Sequence, residues 1–206
     1  MTEYYIPTGA GEASFVEKRS EFLGHVRPVE TEEEARAFIA EMKKKYHDAR
    51  HNCWCYRLQE GGVERYSDDG EPQGSSGLPT LEAIRKKGVF DCVVVTTRYF
   101  GGTLLGVGGL IRAYSHAASI ALEAANIITY EKFTEFMLET TYSDYQLILQ
   151  ELPKYGVLTD DSEFSDRVTL TLAVKCTRYA ELEARLGEVT AGRCFLMETG
   201  ERFDYR

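Results

Sequence analysis

The spacing of apolar residues predicts strands and one amphipathic helix in the first 70 residues. YYIPT and SFVEKRSEFLGHVRPV are typical of two strands, with a turn at GAGE. Thr31 and Glu34 form a capping box that opens the helix TEEEARAFIAEMKKKY. HNCWCYRLQEGGVERYSDD then indicates a hairpin that turns at its paired glycines. The predicted buried face of the helix consists of Ala35, Phe38, Ile39 and Met42.

The next segment predicts a short helix, a buried strand and a long helix. PTLEAIRKK has a proline suited to a first helical turn. VFDCVVVTTRYF is apolar and β-branched along its length, which indicates a strand covered on both faces. The following helix, GLIRAYSHAASIALEAAN, is predicted to bury Leu110, Ala113, Ala117, Ile120 and Ala124.

From about Glu131 the pattern restarts in the order strand, helix, strand, strand, helix, strand. This is the order of the ferredoxin-like split motif. We therefore predict an α+β protein of two domains. One is an α/β domain with a mixed sheet over 1–129, and the other is a ferredoxin-like βαββαβ domain over 130–206.

Charge and composition narrow the possible partners. The 206 residues carry a formal net charge of −9, and neither predicted domain has an excess of basic residues. Strong sequence-independent binding to nucleic acid is therefore not expected. The chain begins without a leader pattern and has no apolar run of about 20 residues, so we expect a cytoplasmic protein with no membrane partner.

The cysteines predict neither disulfides nor a metal site. The five are scattered in strand-like runs, which indicates buried, reduced thiols. His51, Cys53 and Cys55 lie on one face of a strand and span about 13 Å, too far for one zinc ion. The leading interpretation of the sequence therefore includes no metal and no cofactor.

The glycine-rich stretch RYFGGTLLGVGGLIRAYS lies between a predicted strand and a predicted helix. It matches neither the Walker loop nor the dinucleotide-binding fingerprint. Bare backbone, free amides at a helix start, and Arg98 and Arg112 are suited to a phosphate or carboxylate. Equally, the glycines can serve a tight turn while both arginines pair with acidic residues of the chain.

SDDGEPQGSSG is the second candidate segment. Asp68, Asp69 and Glu71 are suited to a hard cation or to acid–base chemistry, with His51 and Asn52 close by at the start of the predicted hairpin. Asp-Gly is also an ordinary turn signal. The sequence therefore leaves a metal-assisted hydrolase as the alternative to a binding protein.

Four motifs resemble the YigZ/IMPACT family in their order and spacing. They are DARHNCWCYR at 48–57, SDDGEPQGSSG at 67–77, VVVTTRYFGG at 93–102 and GVGGLIRAYSHAA at 106–118. The resemblance implies a first domain similar to one shared by a small-subunit ribosomal protein and elongation factor G. It implies a second domain similar to another domain of that factor.

The resemblance also implies a function and a set of residues. Eukaryotic relatives regulate translation during amino-acid starvation by competing for the activator of an initiation-factor kinase. We therefore expect a non-catalytic binding protein of translation regulation, whose partner is RNA, the ribosome or a translation-factor protein. The chain departs from the family pattern at Leu104, commonly lysine, and at Val107, commonly alanine. The binding residues implied are His51, Asn52, Asp68, Asp69, Gly70, Glu71, Arg98, Tyr99, Gly101, Gly102, Gly108, Gly109 and Arg112.

Overall fold

The computed structural model describes residues 3–205, and these form two compact units. Tyr4–Thr129 makes up one unit, and the residues from Tyr130 onward make up the bulk of the other. The outer ends of the domains predicted over 1–129 and 130–206 lie outside the described residues.

The first unit is built on a five-stranded sheet with helices on both faces. Its strand order is β2-β3-β6-β4-β5, and each of its ladders is antiparallel. A parallel bridge outside this sheet joins Tyr5 to Val89. The sequence predicted a mixed sheet, but the ladders of this sheet are all antiparallel. The elements are β1 Glu3–Pro7, β2 Gly11–Glu17, β3 Ser20–Pro28, α1 Glu32–Lys45, β4 His51–Arg57, β5 Glu64–Ser67, α2 Gly77–Lys86, β6 Cys92–Tyr99 and α3 Val107–Ala124.

The segment before α1 contains three strands, whereas the sequence predicted two. SFVEKRSEFLGHVRPV is divided by a tight reversal at Lys18 and Arg19, whose φ angles are 47° and 68°. The apolar alternation continues on both sides of this polar tip, so it gave no sign of the reversal. The reversal places the β2–β3 turn next to the glycine-rich loop.

The two faces of this sheet bury different helices. The predicted face of α1 is confirmed, since Ala35, Phe38, Ile39 and Met42 are buried. They join Val93 and Val95 in one core cluster, whereas Val94 packs on the other side with residues of α2 and α3. Strand β6 is thus covered on both faces, as its sequence predicted.

The buried face of α3 differs in part from the prediction. Leu110, Ala113 and Ala117 are buried as expected, but Ile120 is only half-buried and Ala124 is exposed. Small side chains allow the helix to lie so close to β3 that a Cβ on Gly24 would come within 2.6 Å of the Ala117 carbonyl oxygen. The additional buried residues of α3 are Tyr114, Ala118, Ala121 and Leu122.

The second unit has the predicted ferredoxin-like topology. Its central strands run in the order β10-β7-β9-β8, all antiparallel, with a core that includes Phe136, Ile148 and Leu186. Among the helices described here, none has the length and apolar character needed to cross a bilayer. The elements are β7 Ile127–Thr140, α4 Tyr142–Tyr155, β8 Leu158–Phe164, β9 Val168–Lys175, α5 Tyr179–Val189 and β10 Phe195–Asp204.

Candidate functional site

A cleft of about 410 Å³ opens in the first unit beneath the glycine-rich loop. Three segments form it: the loop after β6, the loop after β5, and the start of β4. Apolar side chains make up much of its wall, with a small number of charged groups among them. Its lining residues are Arg50, His51, Gly70, Glu71, Pro72, Arg98, Phe100, Leu104, Leu105, Gly106, Val107 and Leu110.

Asp68 organises the loop that forms one side of this cleft. Its Oδ2 accepts a hydrogen bond from the Gly74 amide at 2.7 Å, and its Oδ1 accepts from the Ser76 amide, the Ser76 hydroxyl and the Gly77 amide. Burial raises the pKa of this carboxyl, but the bonds from Gly74, Ser76 and Gly77 together outweigh burial and lower the pKa. Asp68 therefore anchors its own loop and the start of α2.

Asp69 connects the same loop to β4. Its Oδ2 accepts from the Asn52 amide at 2.8 Å, and its Oδ1 accepts from the Lys43 ammonium at 2.6 Å. The Asn52 side chain is also bonded, because its Oδ1 accepts from the Thr97 hydroxyl at 2.7 Å. Asp69 and Asn52 thus fix the loop to the start of β4.

Glu71 and Arg98 form a buried ion pair at the floor of the cleft. Arg98 Nη1 donates to Glu71 Oε1 at 2.7 Å, and the two side chains are only 6% and 3% exposed. The Tyr114 hydroxyl donates to the same oxygen at 2.8 Å. The guanidinium also lies 5.6 Å from the Phe22 ring and 5.5 Å from the Phe100 ring. For Arg98, this pair agrees with the alternative interpretation of the sequence, in which the arginine is neutralised by an acidic residue of the chain.

His51 lies beside this ion pair and has a defined orientation. Its Nδ1 is 2.8 Å from the Asp69 carbonyl oxygen, which can only accept, so Nδ1 carries a proton. Its Nε2 is 4.0 Å from Glu71 Oε2. That separation is longer than a hydrogen bond. Residue 51 therefore has one ring nitrogen fixed by the loop and the other turned toward Glu71.

The four residues of the hydrolase alternative do not form a metal-ligand set. His51 and Glu71 are neighbours, but the carboxylates of Asp68 and Asp69 are occupied by amide, hydroxyl and ammonium donors. Among residues 3–205, no group of three or more His, Cys, Asp or Glu side chains is arranged to hold a metal ion. In this arrangement the carboxylates of Asp68 and Asp69 satisfy amide, hydroxyl and ammonium donors of their own fold, so they serve the loop rather than face His51 and Glu71 as a joint ligand set.

The glycine-rich loop has an inner part and an outer part. Gly101 packs so closely on the β2–β3 turn that a Cβ would lie 2.0 Å from the Arg19 carbonyl oxygen. Gly102 and Gly106 have φ angles of 82° and 72°, which side-chain-bearing residues rarely adopt. Beyond Gly101 the chain turns outward, and the Leu104 side chain is 81% exposed.

The first turn of α3 leaves donors at the rim of the cleft. The first helical bond runs from the Leu110 amide to the Gly106 carbonyl, so the amides of Gly108 and Gly109 have no acceptor within the helix. Gly106 provides no side-chain cap. Arg112, one turn further on, is exposed, unlike Arg98. The two arginines expected to act together therefore lie in different environments, since Arg98 is buried in an ion pair and Arg112 is exposed.

Some residues of the site were not singled out from the sequence. Tyr114 binds Glu71, Ser20 accepts from the Gly101 amide at 3.2 Å, and Arg50 lines the cleft. Arg50 and Tyr114 lie inside two of the four family motifs. The motifs drew attention to these segments but did not indicate what either side chain contacts. Tyr99, by contrast, faces away from this cluster and donates to Asp48 at 2.8 Å.

Fold and cleft together define a two-unit α+β protein with a buried acid–base cluster under a glycine-rich loop. The chain matches the Impact N-terminal domain over residues 18–122. A second match, to the family described as "Domain of unknown function (DUF1949)", covers residues 138–193. The chain therefore belongs to the IMPACT family, as its four motifs indicated.

Relatives extend over nearly the whole chain. The "IMPACT family member YvyE" of Bacillus subtilis is 33% identical over 96% of this chain and 92% of its own length. The "IMPACT family member YigZ" of Escherichia coli is 31% identical over 98% of this chain and 100% of its own length. A solved structure described as "Crystal structure of an hypothetical protein" aligns with a TM-score of 0.60 at 29% identity, covering 97% of this chain and 98% of that one.

Proposed function

We propose that this protein is a non-catalytic binding protein of translation regulation, and that the outer part of the glycine-rich loop contacts an anionic group of its partner. The group is an RNA phosphate or a carboxylate of a translation-related protein. Membership of the IMPACT family supports the biological setting. The outward loop with its exposed cations supports the mode of binding.

The observation that carries this proposal is the exposure of the loop and its surroundings. Leu104, Val107 and Phe100 are 81%, 54% and 43% exposed. Arg50 and Arg112 are also exposed. Apolar contacts next to guanidinium groups and free helix amides are suited to a partner segment that is partly apolar and carries negative charge. Arg98 has no part in this contact, because Glu71 already neutralises it.

Co-sedimentation with ribosomes and capture from lysate, each at several salt concentrations, test the proposal. Arg50→Ala with Arg112→Ala is compared with Lys44→Ala and Lys86→Ala, which remove two exposed charges from α1 and α2. We expect the arginine variant to associate more weakly. The slope of the logarithm of the association constant against the logarithm of salt concentration should also become shallower by about one for each phosphate contact removed. Ribonuclease treatment separates an RNA partner from a protein partner.

Leu104→Lys provides the opposite change. It restores the lysine common in the family at a side chain that is 81% exposed, so folding is not disturbed. We expect tighter association at low salt that weakens as salt is added. The proposed function would be refuted if the wild-type protein, the arginine variant and the control variant Lys44→Ala with Lys86→Ala all associated equally, or if none of them associated.

A further inference from the structure

We propose that the cleft beneath the loop binds a nucleobase that carries an uncharged amino group, with that group held between His51 Nε2 and Glu71 Oε2. This inference does not rest on the proposed function, because it concerns the cleft floor rather than the outer loop.

The argument begins with two acceptors that face each other. Nδ1 of His51 donates to the Asp69 carbonyl, so in the corresponding tautomer Nε2 is the acceptor nitrogen of the ring. Glu71 Oε2 lies 4.0 Å away, and both residues line the cleft. Two acceptors at this distance do not bond to each other. A donor with two hydrogens placed about 2.9 Å from each acceptor bridges this 4.0 Å gap at an angle of about 90°.

The charge of the floor favours a neutral donor over an ammonium group. Glu71 and Arg98 are buried side by side and already balance each other. A second buried cation would have no counter-charge of its own and would lie next to the guanidinium, which is costly in a desolvated place. An amino group on a conjugated ring has two hydrogens and no charge. It therefore matches both the geometry and the charge.

The walls of the cleft fit the remainder of an aromatic ring system. Leu105 and Leu110 are buried in the wall, and Phe100 stands half-exposed at the rim. Apolar walls with few convergent polar groups are typical of small-molecule sites, and a cleft of about 410 Å³ is within their usual range. An aminopurine or aminopyrimidine places its ring against these side chains while its amino group reaches the floor.

The orientation of the two acceptors is fixed before any ligand arrives. Asp69 and Asn52 bind the loop to β4, and the Tyr114 hydroxyl and Arg98 hold Glu71 Oε1. Such preorganisation lowers the ordering cost of binding. Replacing the amino group by a carbonyl would place a third acceptor against two others, which the site cannot satisfy.

Calorimetric titration at pH 8 tests this with adenosine against inosine and cytidine against uridine. Each pair differs in the amino group that the floor is proposed to read. We expect the amino-bearing nucleoside to bind about tenfold or more tightly, the ratio for one unsatisfied buried hydrogen bond. Because this comparison uses the wild-type protein, it does not depend on a variant that folds.

Variants and oligonucleotides then identify the contact and its source. His51→Leu is expected to abolish the preference, whereas His47→Leu, at an exposed histidine of the same unit, leaves it unchanged. Arg112→Ala also keeps the preference, which separates this inference from the proposed function. Tighter binding of oligoadenylate than of adenosine would indicate an RNA base, and the reverse a free nucleoside or nucleotide. Equal affinities within both pairs, or no binding at millimolar concentration because the gap holds only water, would overturn the inference.

Discussion

Replacing Arg98 by methionine is expected to destabilise the first unit strongly. The substitution keeps most of the side-chain volume but removes the partner of Glu71, whose side chain is 3% exposed. Removing one member of a buried ion pair typically costs about 3–5 kcal/mol. The bond from Tyr114 to Glu71 remains, so we expect about 3 kcal/mol, the lower end of this range. For a unit of this size that corresponds to a fall in Tm of roughly 10–15 °C.

The single tryptophan provides a local assay. Trp54 lies in β4, on the sheet that carries Arg98, and stacks on Tyr56 at 5.7 Å between ring centroids. Its fluorescence during urea unfolding therefore reports this unit. In the double variant Arg98→Met with Glu71→Leu no buried charge is left without a partner, so it should regain at least half of the lost stability. A loss below about 1 kcal/mol in Arg98→Met, the scale of an exposed ion pair, would refute the buried-pair reasoning.

Three further predictions concern the surrounding structure. Because the folded protein lowers the pKa of Asp68, its contribution to stability is present above about pH 4 and lost as the pH falls through the folded pKa. Asp68→Asn should therefore cost about 2 kcal/mol near neutral pH, with the difference vanishing in acid unfolding titrations; a constant difference contradicts this. Burial raises the pKa of Cys53 and Cys92 to about 12 and also raises that of Cys55. A thiol reagent at pH 8 should therefore modify only the two half-buried cysteines before unfolding, and fast modification of more would oppose this. Gly101→Ala should cost more than about 2 kcal/mol, because its Cβ meets backbone, whereas Gly102→Ala, in open space, should cost about 1 kcal/mol; equal urea midpoints would contradict the close packing at Gly101.

Local sequence patterns were sufficient to predict most helices and strands, but not which residues of different elements contact each other. The face of α1 and the doubly covered β6 follow from spacing that a single segment contains. The buried face of α3 does not follow from its own sequence. Its alanines allow close packing on more than one side, and contact with β3 determines which side is buried. The partner of Arg98 lies 27 positions away, and only the assembled sheet brings Glu71 to it. Family motifs located both residues without distinguishing an anion contact from an internal pair.

The division of the glycine-rich segment has a consequence for how its variants should be interpreted. Arg98 and Gly101 face the interior, where one balances a buried acid and the other permits close packing. Leu104 and Arg112 face solvent and make few demands on the fold. Loss of binding in an inner variant is therefore ambiguous, because the cleft floor loses its fixed orientation when the unit loosens. Loss of binding in an outer variant, at unchanged stability, would report the proposed partner contact itself. The outer positions are thus where the proposed binding by this loop can be measured separately from its structural role.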